Sequence, residues 1–131
     1  MLTDNNKLIE RASEVRKYAK APYSHFLVGA ALLTVDDTVF TGINVESSSY
    51  GLTICAERVA LVKALSEGHK HFTKIAVVVD TETLTPPCGA CRQLLYDYAP
   101  DIEVVISNNR DKTKVFKLTD LFPEPFGPDF L

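Results

Sequence analysis

Residues 74–79 read KIAVVV, a near-continuous apolar run made mostly of β-branched residues. Such a run is typical of a strand that is buried on both faces, as in a sheet covered by helices on each side. A turn-forming stretch, 81–87, follows, and Pro86 and Pro87 stand directly before a helical pattern that ends at Pro100. The middle of the chain therefore predicts a strand, a loop and a helix in a layered domain.

The flanking sequence completes a predicted order of α, β, β, α, β, α, β, β. A first helix follows the caps Thr3 and Asp4, and a second helix starts near Thr53 and is stopped by Gly68. The other predicted ranges are 5–20 for the first helix, 26–35 and 39–44 for a hairpin, 102–106 and 113–117 for the last strands, and 119–122 for a helical turn. This order predicts an α/β fold with three layers, α-β-α, around a mixed five-stranded sheet.

The composition narrows the classes of protein. At 131 residues and 46% hydrophobic, the chain suits a single domain covering residues 1–131. A formal net charge of −3 offers no basic field for phosphate backbones, so we expect no nucleic acid partner. The longest apolar stretch, 26–33, is far below the ~20 residues of a membrane span, so we expect no membrane partner. The first residues lack the order of a secretory signal, and the expected location is cytoplasmic.

The chain has three cysteines, and their placement predicts a metal site. Cys55 stands at one predicted helix start, and Cys88 and Cys91 form a Cys-x-x-Cys pair at the next one. Three thiolates can fill three corners of a tetrahedral zinc site and leave the fourth for a water. The positive end of each helix dipole favours the thiolate form. With Glu57 as a nearby proton carrier, the residues indicate a metal-assisted hydrolytic site.

Two neighbours of Cys55 have specific predicted roles. Arg58, three positions along the helix, can reach back to the sulfurs and offset the charge of three thiolates. Glu57 lies two positions along, a rotation of about 200° away from Cys55 on a regular helix. A metal just beyond the helix start can still be approached from several faces of the first turn, so Glu57 could stand beside the bound water without ligating the metal.

Other interpretations remain open from the residues alone. The Cys88/Cys91 pair also suits redox thiols or a closed zinc site, and a lone Cys55 would be an ordinary buried residue. Asn44 and Glu46 are two apart in an extended segment, so both can point the same way, either toward a ligand or as strand-end polarity. Phe26 is more often a core residue than a ligand platform.

The sequence resembles a known family, the small homotetrameric zinc-dependent cytidine deaminases of pyrimidine nucleoside salvage. The resemblance covers nearly the whole chain and is carried by 21–32 (APYSHFLVGAAL), 44–46 (NVE), 55–58 (CAER), 87–93 (PCGACRQ) and 121–123 (LFP). The general signature of zinc deaminases, H-x-E followed by P-C-x-x-C with Cys allowed for His, matches these motifs. The resemblance implies a cytidine deaminase-like fold.

The resemblance also implies a role for each site residue. The implied zinc ligands are Cys55, Cys88 and Cys91, with one zinc ion per chain, and Glu57 is the implied proton shuttle. For the substrate, the resemblance implies that Asn44 and Glu46 bind the ribose 3′-hydroxyl, that Phe26 packs against the pyrimidine and that the backbone of Ala56 holds the base. For the metal, it implies that Arg58 offsets the thiolate charge and that Gln93 supports the ligand shell. It also implies that Tyr50 and Phe126 serve the pocket of a neighbouring subunit.

The implied reaction is the hydrolytic deamination of cytidine and deoxycytidine to uridine and deoxyuridine, with release of ammonia. A phosphate near Glu46 would be repelled, which favours nucleosides over nucleotides. The nearest alternative is a deaminase of another aminopyrimidine nucleoside such as blasticidin S, although the Asn44 and Glu46 pair argues against it. A thiol oxidoreductase would instead use Cys88 and Cys91 as a reversible disulfide. A non-catalytic zinc module would need a fourth protein ligand.

Overall fold

Five strands form one mixed sheet in the computed structural model, which describes residues 2–131. The sheet order is β2-β1-β3-β4-β5, with β3 and β4 parallel and the other neighbouring pairs antiparallel. No helix within residues 2–131 has the length and apolar character needed to cross a membrane. The elements are α1 (Asn5–Arg16), β1 (Gly29–Thr34), β2 (Val39–Ile43), α2 (Ala56–Ser66), β3 (Phe72–Val78), α3 (Gly89–Tyr98), β4 (Glu103–Ser107), β5 (Thr113–Lys117) and α4 (Leu118–Leu121).

The central strand β3 divides the core into two layers of contacts. Because side chains alternate along a strand, Ile75 and Val77 pack in the cluster that contains α2 and α3, whereas Ala76 and Val78 pack against α1. All four are at most 3% exposed. The prediction that this strand is buried on both faces is confirmed, and with it the three-layer α/β fold.

Two glycines allow the helices to lie directly on the hairpin β1–β2. A methyl group at Gly29 would overlap the carbonyl oxygen of Ala12 in α1. A methyl group at Gly42 would overlap the carbonyl oxygen of Ala56 and lie 2.6 Å from the amide nitrogen of Ala60, both in α2. The first turn of α2, which follows Cys55, is therefore fixed against the sheet by backbone-to-backbone contact.

The structure corrects two of the predicted bounds. Helix α1 ends at Arg16 rather than at residue 20, because the backbone of Lys20 pairs instead with Val45, just after β2. The Lys20 amide donates to the Asn44 carbonyl at 2.9 Å, and the Glu46 amide donates to the Lys20 carbonyl at 2.8 Å. Strand β1 begins at Gly29 rather than at residue 26, because the Asn44 side chain holds the preceding backbone. The remaining predicted bounds lie within three residues of the observed ones.

Candidate active site

The first two cysteines occupy equivalent positions at the starts of two helices. Cys55 is the N-cap residue of α2 and Cys88 is the N-cap residue of α3, with Cys91 in the first turn of α3. Neither N-cap side chain accepts a capping hydrogen bond from the backbone amides of its own helix, so both sulfurs are available to a ligand. The prediction that Cys55 and Cys88 lie at helix starts is confirmed.

The three sulfurs meet at one point with the spacing of a zinc site. Sγ of Cys88 lies 3.7 Å from Sγ of Cys55 and 3.4 Å from Sγ of Cys91, and all three lie within 4.8 Å of one another. A tetrahedral zinc with Zn–S bonds of ~2.3 Å places its sulfurs about 3.8 Å apart. Within residues 2–131 the group contains no further His, Cys, Asp or Glu. The residues therefore fit a zinc ion with one corner left for another ligand.

Positive charge and thiol hydrogen bonding favour an anion at Cys55. A hydrogen bond with the Cys91 thiol, together with a bond and the charge of Arg58, lowers the pKa of Cys55 to about 5. Nη2 of Arg58 donates to Sγ of Cys55 at 3.7 Å and to the Thr53 carbonyl at 3.2 Å. The contact expected of Arg58 is thus present. It stabilises negative charge at the place where a cation would bind.

Glu57 is buried at the same site. It is the second residue of α2, is only 4% exposed and lines the cavity beside the cysteines. Burial raises the pKa of its carboxyl group, which brings proton exchange closer to neutral pH. Because Cys55 is the cap and not part of the helix, the rotation that separates helical neighbours does not carry Glu57 away from it. Glu57 lies outside the group of three metal-ligating sulfurs.

One cavity joins the metal site to the other predicted residues. Its volume is about 230 Å³, just under the ~300–1,000 Å³ typical of small-molecule pockets. The predicted site residues that line it are Cys55, Cys88, Glu57, Ala56, Asn44, Glu46 and Phe26. Sequence reasoning missed the apolar contribution of Val77 and Val79. The available signal was their place at the carboxyl end of a buried parallel strand, where α/β proteins bind ligands.

Asn44 and Glu46 each keep part of their hydrogen-bonding capacity free. Asn44 accepts from the Val28 amide at 3.0 Å and donates to the Phe26 carbonyl at 2.8 Å, which leaves one N–H of its NH₂ group. Glu46 accepts through Oε1 from the amides of Tyr23 and Ser24, both at 3.1 Å. These bonds leave one donor and one acceptor on the same wall, the pair that a single hydroxyl group can satisfy.

Ser24 is a second residue that the sequence analysis missed. Its hydroxyl donates to Oε2 of Glu46 and accepts from the Phe26 amide at 3.0 Å. The Ser24 hydroxyl, together with the amides of Ser24 and Tyr23, lowers the pKa of the Glu46 carboxyl and favours its ionised form. Ser24 therefore links the carboxylate to the aromatic residue of the same wall.

Comparison with known proteins places these motifs in a family. The family model described as the cytidine and deoxycytidylate deaminase zinc-binding region matches residues 2–107. This chain belongs to that deaminase family. The resemblance to zinc-dependent cytidine deaminases is confirmed, and so is zinc as the cofactor, since the cysteine group is suited to hold it.

Relatives of this deaminase match over almost its full length. The curated cytidine deaminase of Halalkalibacterium halodurans is 47% identical over 124 residues, covering 94% of each chain. That of Sporosarcina psychrophila is 41% identical over 129 residues, covering 98% of this chain and 95% of the relative. The crystal structure of cytidine deaminase from Burkholderia pseudomallei is 47% identical, has a TM-score of 0.92, and matches 95% of this chain and 100% of its own. The fold is therefore that of a cytidine deaminase.

Three predicted residues lie away from the cavity of this deaminase. Tyr50 is 78% exposed, and its ring meets that of Tyr23 edge-on at 6.3 Å. Phe126 stacks on Phe130 with ring centroids 5.5 Å apart. Within residues 2–131, Gln93 makes no hydrogen bond to a cysteine: its amide donates to the Phe126 carbonyl at 2.8 Å and to Oδ1 of Asp97 at 3.2 Å. Two positions along α3 turn it about 200° from Cys91.

Proposed function

We propose that this deaminase converts cytidine and deoxycytidine to uridine and deoxyuridine by hydrolysis, with release of ammonia. The observation that carries the proposal is the single cavity in which a zinc-fitting sulfur group, a buried carboxyl and a sugar-binding donor and acceptor meet. The similar cytidine deaminases, at 41–47% identity, support the same substrate class.

The chemistry is divided between the metal and Glu57. A zinc ion held by Cys55, Cys88 and Cys91 would supply Lewis acidity that activates a water toward C4 of the pyrimidine. Glu57 accepts a proton from that water and delivers it to N3 of the ring. It then carries the remaining proton of that water, now on the oxygen bonded to C4, to the amino group; the C4–N bond breaks, ammonia departs and C4 becomes a carbonyl. The raised pKa of this buried carboxyl suits both directions of transfer.

The walls of the cavity orient the nucleoside. The free N–H of Asn44 donates to a sugar hydroxyl, and that hydroxyl donates to Glu46. Phe26 packs against the pyrimidine, and the backbone of Ala56 at the start of α2 holds the base, where amide groups have no partner within the helix. A phosphate group near the ionised Glu46 would be repelled, so the cavity favours nucleosides over nucleotides.

We extend the proposal to the assembly and setting of the enzyme. The active form is a homotetramer in which Tyr50 and Phe126 serve the pocket of a neighbouring subunit, and the enzyme acts in pyrimidine salvage in the cytoplasm, where its thiols remain reduced. The exposure of Tyr50, Leu52 and Phe126 supports this proposal, since large apolar side chains at a surface mark interaction sites.

The test begins with the metal content of the purified protein and continues with its activity. We expect one zinc per chain and a fall in ultraviolet absorbance with cytidine and with deoxycytidine, and a much slower fall with cytidine monophosphate. Size measurement in solution under the same buffer should give four chains. A zinc-loaded protein that deaminates neither nucleoside would contradict the proposed function.

A further inference from the structure

The segment that leads into Cys88 makes few hydrogen bonds, although Pro87 is buried and Leu84 packs against the core. Cys88 is exposed, and residues 84–87 lie in neither a helix nor a strand. In the described chain, Sγ of Cys88 makes hydrogen bonds only with Cys55 and Cys91. Something other than the sulfur must therefore fix the backbone at this ligand.

Arg92, one turn further along α3, reaches back to that backbone. Nε of Arg92 donates to the carbonyl oxygen of Pro87, directly before Cys88, at 2.8 Å. Within the described structure this is the sole hydrogen bond made by residues 84–87. The guanidinium thus holds the entry to Cys88.

The same guanidinium is anchored at its other side. Nη1 of Arg92 donates to the carbonyl oxygen of Leu121 at 2.8 Å. Leu121 is the last residue of α4, where helical carbonyls have no partner within the helix, and Leu118 secures α4 to the core with a fully buried side chain. A planar guanidinium carries several donors in a fixed fork, so it can span two carbonyls that a lysine ammonium cannot hold in the same geometry.

We propose that Arg92 is a positioning residue of the metal centre, which fixes the backbone before Cys88 by bridging it to the end of α4. Arg92 does not touch the metal or the substrate and acts through Cys88. The inference rests on the proposed zinc site and adds Arg92 as a residue that determines how firmly Cys88 is held as a zinc ligand. Partners outside the ligand set commonly change metal affinity by about 10- to 100-fold when removed.

Gln93 provides a matched comparison within the same helix. Gln93 also bonds to the segment after α4, through the Phe126 carbonyl, but it makes no bond to the loop before Cys88. Arg92→Gln removes the loop contact and the contact with Leu121, whereas Gln93→Ala removes the contact with Phe126 and one with Asp97 inside α3, and leaves the loop contact in place. The pair therefore separates support of the metal loop from attachment of the tail.

The experiment measures zinc release from the loaded full-length protein to a colorimetric chelator. We expect release about 10-fold faster from Arg92→Gln, intermediate from Arg92→Lys, and at the wild-type rate from Gln93→Ala. After cobalt substitution, the visible bands should change in Arg92→Gln and stay unchanged in Gln93→Ala. If Arg92→Gln does not fold, Arg92→Lys is judged by the same two measurements.

A wild-type release rate or a wild-type cobalt spectrum in the Arg92 variant would overturn the proposal. So would equally fast release from Gln93→Ala, since the tail and not the loop would then be responsible. Zinc content of the unmodified protein is measured first. Absence of zinc there contradicts the proposed function, whereas zinc-loaded wild type with an unaffected Arg92 variant contradicts this inference alone.

Discussion

The starts of α2 and α3 each carry a cysteine cap, yet they are held in opposite ways. At α2, Ala56 is fully buried against the backbone at Gly42, and Glu57 is almost completely enclosed. At α3, Cys88 is exposed, and a methyl group at Gly89 would meet nothing within 4 Å. The tightly packed start of α2 presents Glu57, the proton carrier, whose small displacements would slow the chemistry. The exposed start of α3 contributes the ligand Cys88, whose position depends on the contact made by Arg92 one turn along the helix.

The largest expected effect is at the buried start. Glu57→Gln keeps the shape of the side chain but cannot exchange a proton, so we expect kcat to fall about 10²- to 10⁴-fold with zinc still bound. Steady-state kinetics and metal analysis check both parts. Glu10→Gln, at an exposed position of α1, is the control and should match wild type. Undiminished turnover would remove Glu57 from the reaction, and loss of zinc would place it among the ligands.

A smaller effect is expected from overpacking the contact that fixes α2. Gly42→Ala forces a methyl group into the backbone of Ala56 and Ala60, which should lower the free energy of unfolding by about 1–3 kcal/mol. Urea denaturation followed by circular dichroism measures this change. A loss within 0.5 kcal/mol, the ordinary scatter of surface substitutions, would show that α2 can move away from the hairpin at little cost.

The smallest effect should come from the matching change at the open start. Gly89→Ala adds a methyl group where the structure leaves space and reduces the freedom of the unfolded chain, so we expect the free energy of unfolding to rise by about 0.4–1 kcal/mol. The same urea titration, at equal zinc loading, gives the value. Destabilisation by more than 1 kcal/mol would mean that this helix start is packed after all, and the contrast with α2 would fail.

The sequence predicted the parts of the molecule that depend on local patterns. The buried run at 74–79 identified the central strand, and the cysteine spacing identified the metal group. The reach of Arg58 to Cys55 follows from helical geometry, and the structure contains that contact. In each case the residues of one short segment are enough to predict the feature.

The parts that were missed depend on contacts between distant segments. Helix α1 ends early because Lys20 pairs with the backbone at Asn44, and no pattern near Lys20 indicates this. Arg92 and Gln93 stand side by side in one motif, and only the tertiary path of the tail shows which one reaches the metal loop. Position within a motif therefore did not reveal the direction of a side chain.

The amide of Asn44 has a consequence for engineering the substrate range. One side chain both braces the backbone on either side of Leu27 and offers the donor proposed for the sugar. Any replacement chosen to accept a different sugar would also release the segment that presents Phe26 to the base. Sugar and base recognition are thus coupled through one side chain, and a change at Ser24 would not separate them, because its hydroxyl bonds both to Glu46 and to the Phe26 amide.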